Sequence, residues 1–177
     1  SHALPSLVAT PLHLPMAPLD PRHLTDEKLV LGLTADPRLT LTELLALVPE
    51  AAAINNHMGS ALTADALRLA PVLAALAPHG LPLLDSRTTA RTELCATARR
   101  YRLPCRERDV FLDDAEDPLS PAARLAEAVA RARTVGQAVA IGHPLGATTR
   151  VLERELPALR GVQLVRLSRL FIPQDAT

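Results

Sequence analysis

The chain has 177 residues, 48% of them hydrophobic, and 19 acidic residues balance 19 basic ones to a formal charge of zero. That length suits one domain spanning 1–177 with enough chain to bury a core. No 18-residue uncharged apolar run is present, so no transmembrane helix is expected, and Ser1 to Leu14 does not read as a signal peptide. Without a basic surplus or stripe, nucleic acid is not the expected partner.

Aromatic residues are scarce (2%: Tyr101, Phe111 and Phe171), so a carbohydrate site here must work mostly through polar groups rather than stacking platforms. Cys95 and Cys105 match no zinc pattern. They read first as unpaired thiols, with a single disulfide in an exported protein as the alternative.

In chain order, Leu7 to His13 reads as a short strand, followed by a polar connection to Leu39. Thr40 and Glu43 have capping-box spacing ahead of a short helix. Ala51 to Asn55 is a strand, and Thr63 and Asp65 open a helix with Leu67, Ala70, Leu73 and Leu76 facing inward. Pro71 kinks that helix and Gly80 ends it. Strand Leu81 to Leu84, a helix over 91–101 and strand Arg108 to Leu112 follow. Ser120 and Pro121 then form an N-cap and first-turn pair for a helix burying Leu125, Ala128, Val129 and Ala132 up to Gly136. Strand Gln137 to Ile141, a helix over 149–159 and strand Gln163 to Leu167 complete an alternation that predicts an α/β domain with a parallel sheet.

Three apolar runs end in different polar signatures: Asn55-Asn56-His57-Met58-Gly59-Ser60, Asp85-Ser86-Arg87-Thr88 and Gly142-His143-Pro144. In parallel sheets and barrels, chemistry gathers in the loops at the carboxyl ends of strands. His57 follows two amides and precedes a glycine that admits close backbone approach, against the plainer alternative of a satisfied loop histidine. His143 sits in a rigid turn suited to aiming one imidazole. Asp85 reads as a base or orienter, or equally as the cap of the next turn. His13 is weak by itself, and of the adjacent Asp113 and Asp114 only one can point into a site. There is no Gly-rich phosphate loop, no nucleophile elbow and no paired-cysteine knuckle. Imidazoles and carboxylates on one rim suit either a zinc-type site activating water or metal-free acid–base work.

These residues, with His13-Leu14-Pro15-Met16 and Arg108-Asp109-Val110-Phe111-Leu112-Asp113, resemble the divergent polysaccharide deacetylase family from about Thr10 to Ser168. The resemblance implies an irregular (β/α) barrel, with His13, His57, Asp85 and His143 converging at one end. It also implies a bacterial hydrolase that removes an N-acetyl group from a cell-envelope polysaccharide in the periplasm or envelope. By the same analogy His143 is the general acid, and His57 and His13 are ligands to Zn²⁺ or another divalent metal. Read from the residues themselves, Asp85 joins His143 as catalytic, and Asn55, Asn56, Arg87 and Asp113 are the candidates for binding the glycan. The chain departs from the family pattern in two places. The usual first strand ending in two aspartates has no counterpart, which predicts a barrel incomplete at its N-terminal strand. Ala17 also stands where a glutamate is common. Both departures predict weak metal binding, and with it a rival reading: a non-catalytic envelope domain that keeps the fold and binds glycan or protein.

Overall fold

The computed structural model describes residues 6–10 (backbone only), 53–56, 58–114 and 119–171. The expected helix behind Thr40 and the residues His13 and His57 lie outside that set. The described chain is mixed α/β, its strands lie in two sheets, and its strand pairs are parallel. It divides into two compact units.

The first unit holds the order β5–β6–β1–β7, from β1 (Ser6–Thr10), β5 (Val110–Phe111), β6 (Gln137–Ile141) and β7 (Gln163–Leu164). β6 is flanked on both sides, and Ala138, Val139, Ala140 and Ile141 are all buried, as a continuous apolar run in a parallel sheet requires. Register fixes the sheet edge: Ile141 lies opposite both Thr10 and Phe111. The chain therefore leaves β1, β5 and β6 at the same level. Beside β5, Asp109 extends the ladder with its side chain, its Oδ2 accepting from Val139 N at 2.8 Å.

Helix α4 (Pro121–Val135) follows its sequence signals at both ends. The Ser120 hydroxyl accepts from Ala123 N at 3.3 Å, Pro121 occupies the first turn, and Gly136 closes the helix at φ 92°. Between them Leu125, Ala128, Val129 and Ala132 form one stripe, packed with Val110, Leu112, Ala138, Ala140 and Val162. Burying one such leucine is worth roughly 2 kcal/mol. Helix α5 (Gly146–Glu155) adds Val151 and Leu152 to the margin of this core.

The second unit holds the order β2–β3–β4, from β2 (Ile54–Asn55), β3 (Leu83–Asp85) and β4 (Cys105–Glu107). The short helix α1 (Ser60–Thr63), α2 (Ala66–Leu76) and α3 (Leu94–Arg100) accompany them. Asp65 caps α2, accepting from Leu67 N and Arg68 N at 2.9 and 3.2 Å. The inward face is Leu69, Leu73 and Leu76, so the expected inward Leu67 is corrected: it is 86% exposed. Pro71 sets this phase. Its ring removes the bond to the carbonyl of Leu67 four residues earlier, a loss best tolerated facing water, and that turns the Leu67–Pro71 face outward.

One strand was not anticipated, and one further expectation is corrected. β4 is a charged edge strand, Cys-Arg-Glu, with no apolar run to announce it. Cys95 and Cys105 are not free thiols but a disulfide with Cα atoms 5.2 Å apart, tying α3 to β4.

Candidate functional site

The first unit brings together two of the residues singled out by sequence. Asp113 follows β5 by two residues and His143 follows β6 by two, so the Phe111–Ile141 register sets them side by side. Asp113 Oδ1 lies 3.0 Å from His143 Nδ1, and Oδ2 accepts from the His143 backbone N at 2.7 Å. Thr148, in the first turn of α5 and 1% exposed, donates its hydroxyl to the same Oδ2 at 2.7 Å. The Asp113 side chain is 5% exposed and that of His143 35%, so a buried carboxylate holds an imidazole that solvent reaches. An ionised carboxylate only accepts, so Nδ1 carries the hydrogen between them.

Backbone packing makes this possible. A Cβ on Gly142 would meet Leu112 Cβ at 3.1 Å and Thr148 Cγ2 at 3.2 Å, so only glycine lets the two chain segments approach this closely. The Phe111 ring contacts the imidazole edge-on, with centroids 5.4 Å apart at 64°, and Arg108 covers the Phe111 ring at 4.7 Å. Sequence reading passed over Thr148 and gave Phe111 no part in a site. Thr148 left only a weak signal, a threonine at a helix start five residues after His143.

The second unit holds Asn55, Asn56, Asp85 and Arg87 in two loops sewn to each other. Asn55 Nδ2 donates to Ser86 Oγ at 3.2 Å, Asn56 Oδ1 accepts from Ser86 N at 2.8 Å, and Asn56 Nδ2 reaches Met58 O at 3.0 Å. Ser60 Oγ donates to Thr88 O, and Thr88 Oγ1 to Met58 O, at 3.1 and 3.3 Å. Gly59 serves by its φ of 80° rather than by close approach, since a Cβ there would meet nothing within 4 Å.

Asp85 is fully buried, with Oδ1 accepting from Arg87 N and Oδ2 from Thr92 Oγ1, both at 2.7 Å. This is the turn-capping alternative of the sequence reading in its buried form. Arg87 sits at φ 48°, an uncommon conformation for a side-chain-bearing residue, and its guanidinium pairs with Glu107 at the end of β4.

Asp85, Cys95 and Glu107 offer ligand atoms within 4.8 Å of one another. Yet the sulfur is spent in the disulfide, both Asp85 oxygens accept hydrogen bonds, and Glu107 pairs with Arg87. This described set does not fit a metal ion.

A parallel sheet whose carboxyl edge carries a histidine–aspartate pair, with helices packed on it, defines an α/β protein. The chain belongs to the divergent polysaccharide deacetylase family, whose pattern matches residues 8–171. It is 35% identical over 161 residues to the uncharacterized protein YibQ of Escherichia coli K12, covering 90% of this chain and 50% of that one. It is 34% identical over 166 residues to an uncharacterized Haemophilus influenzae protein, covering 90% and 58%. The chain thus spans about half the length of the curated relatives it matches. A crystal structure of uncharacterized protein ATU2773 from Agrobacterium tumefaciens C58 shares the fold, with TM-score 0.66 at 22% identity over 93% of this chain and 66% of that one.

Proposed function

We propose that the chain is a deacetylase-like hydrolase of one domain, an irregular (β/α) barrel acting on an N-acetylated polysaccharide of the bacterial cell envelope. The observation that carries this reading is the Asp113–His143 pair: a half-exposed imidazole, aimed by a buried carboxylate, in a member of this family. With Nδ1 engaged by Asp113, proton exchange falls to Nε2. Nε2 takes a proton from the water that adds to the acyl carbonyl. The carbon–nitrogen bond then breaks, and the same proton passes to the departing amine. Asp113 steadies the imidazolium in between.

Of the two parts the sequence offers Asp85, base or turn cap, we take the cap. With both oxygens occupied, it positions the Ser86–Arg87 loop rather than moving protons. Arg87, Asn55 and Asn56 shape that loop as a polar wall for glycan, which suits a chain poor in aromatic platforms. The Cys95–Cys105 disulfide supports an oxidising compartment such as the periplasm. His13 and His57 are the ligands the resemblance names for a divalent metal, and no step above runs through one.

The occupied Asp85 oxygens and Arg87 guanidinium favour a second reading, a glycan-binding domain without turnover. Acetate release from chito-oligosaccharide and peptidoglycan fragments, with and without added Zn²⁺, separates the two. Turnover that is lost in His143→Gln supports the hydrolase. Glycan binding with no turnover under either condition overturns it in favour of the binding domain.

A further inference from the structure

We infer that Thr148 is a positioning residue that fixes the proton of His143 on Nδ1 by locking the Asp113 carboxylate. Two donors share Oδ2, the Thr148 hydroxyl and the His143 backbone N–H, each at 2.7 Å. Together they hold the carboxylate plane, so that Oδ1 is the oxygen facing Nδ1 at 3.0 Å. The other two contacts of the carboxylate both come from His143 itself, so Thr148 is the donor from outside the residue being positioned.

Its methyl group does a separate job. A Cβ at Gly142 would come within 3.2 Å of Thr148 Cγ2, so the same side chain packs under the turn that carries His143. At 1% exposure neither function is shared with water. A buried threonine is an expensive way to fill space, since its hydroxyl must find a partner, and here the partner is the group that orients the imidazole. Outer partners fix the tautomer and direction of a histidine ring, and at metal-bound histidines their loss typically costs about 10–100-fold in metal affinity or activity.

The consequence for rate rests on the hydrolase reading above, but the tautomer does not. Long-range ¹H–¹⁵N correlation spectra of the imidazoles report it directly, with His143→Gln identifying the His143 signals. In the protein as it stands, and in Thr148→Ser, neutral His143 shows the Nδ1–H form. In Thr148→Val, which keeps the shape and loses the hydroxyl, an Nε2–H form appears beside it. Where valine packs poorly, Thr148→Ala makes the same comparison.

On N-acetylated oligosaccharide, Thr148→Val lowers kcat about tenfold with KM little changed, and Thr148→Ser restores most of it. A folded Thr148→Val or Thr148→Ala that keeps a pure Nδ1–H tautomer overturns the inference. Absence of turnover in the unaltered protein instead overturns the hydrolase reading and leaves the tautomer test standing.

Discussion

Asp113 grips His143 at two points, ring and backbone, so one carboxylate sets both the direction of the imidazole and the course of the chain that carries it. The pair is 30 residues apart in sequence and meets because β5 and β6 are neighbours with Phe111 opposite Ile141.

Removing that carboxylate acts on stability and on any catalysis together. Asp113→Ala leaves the Thr148 hydroxyl and the His143 N–H without their shared acceptor in a buried setting, at about 1–3 kcal/mol for each group. A loss of roughly 2–6 kcal/mol in urea unfolding is expected. Asp113→Asn keeps an oxygen acceptor and loses less stability, yet its amide can donate to the ring and so favours the other tautomer. Acetate release should therefore fall in Asp113→Asn by more than its stability loss explains. Equal activity in Asp113→Asn and the unaltered protein would argue against the pair as the working unit.

Gly142→Ala tests the close approach behind the pair. Contacts of 3.1 and 3.2 Å to Leu112 and one of 3.2 Å to Thr148 must all give way by a few tenths of an ångström. Leu112 is buried in the first unit's core and Thr148 is bound to Asp113, so neither moves cheaply. Overpacking of this kind costs roughly 1–3 kcal/mol. Thermal unfolding should show it, whereas Gly59→Ala should cost through its φ of 80° alone. Combining Gly142→Ala with Leu112→Ala should recover part of the clash while adding the cavity cost of the lost leucine side chain.

The architecture around these residues was largely legible, for local reasons. Ser120-Pro121, the Leu125–Ala128–Val129–Ala132 stripe and Gly136 sit within one helix, where periodicity and capping speak directly. β6 announced itself as an unbroken apolar run. β4 did not, because an edge strand can be charged, and Leu67 was assigned the wrong face because Pro71, not leucine spacing, set the phase of α2. The cysteines, ten residues apart, gave no hint of a helix packed on the strand that follows it. At the site, His143 and Asp113 were each visible as polar residues past a strand. Their partnership was not, since it depends on strand register. Asp85 looked the same in sequence whether exposed or buried, and only its burial and its Arg87 and Thr92 donors distinguish a loop anchor from a base.

Reduction of the disulfide should destabilise the second unit selectively. Cys95 and Cys105 enclose a ten-residue separation, and closing so short a loop restricts the unfolded chain by about 2–3 kcal/mol. The bond also links two segments that hold the Asp85 loop: Thr92 lies three residues before Cys95, and Glu107 two residues after Cys105. With dithiothreitol, hydrogen exchange at the Ser86 and Arg87 amides should accelerate, while the α4 core exchanges as before. Uniform acceleration across both units would show that the bond serves global stability alone.

Arg87 offers the clearest test of whether its backbone conformation is held at a cost. Its φ of 48° is left-handed, a region that favours glycine and costs other residues roughly 1–2 kcal/mol. Two opposing effects act at this residue: the Asp85 carboxylate bonded to its N–H and the Glu107 pairing hold it in place, while its own Cβ disfavours the conformation. Arg87→Ala and Arg87→Gly both delete the ion pair, which is partly exposed and contributes ~1 kcal/mol or less. They differ in the Cβ. Arg87→Gly should therefore unfold at higher urea concentration than Arg87→Ala, by the equivalent of about 1 kcal/mol, even though glycine normally weakens a folded chain. If alanine proves the more stable of the two, the left-handed turn is not maintained in solution, and the wall formed by Asn55, Asn56 and Ser86 loses its anchor.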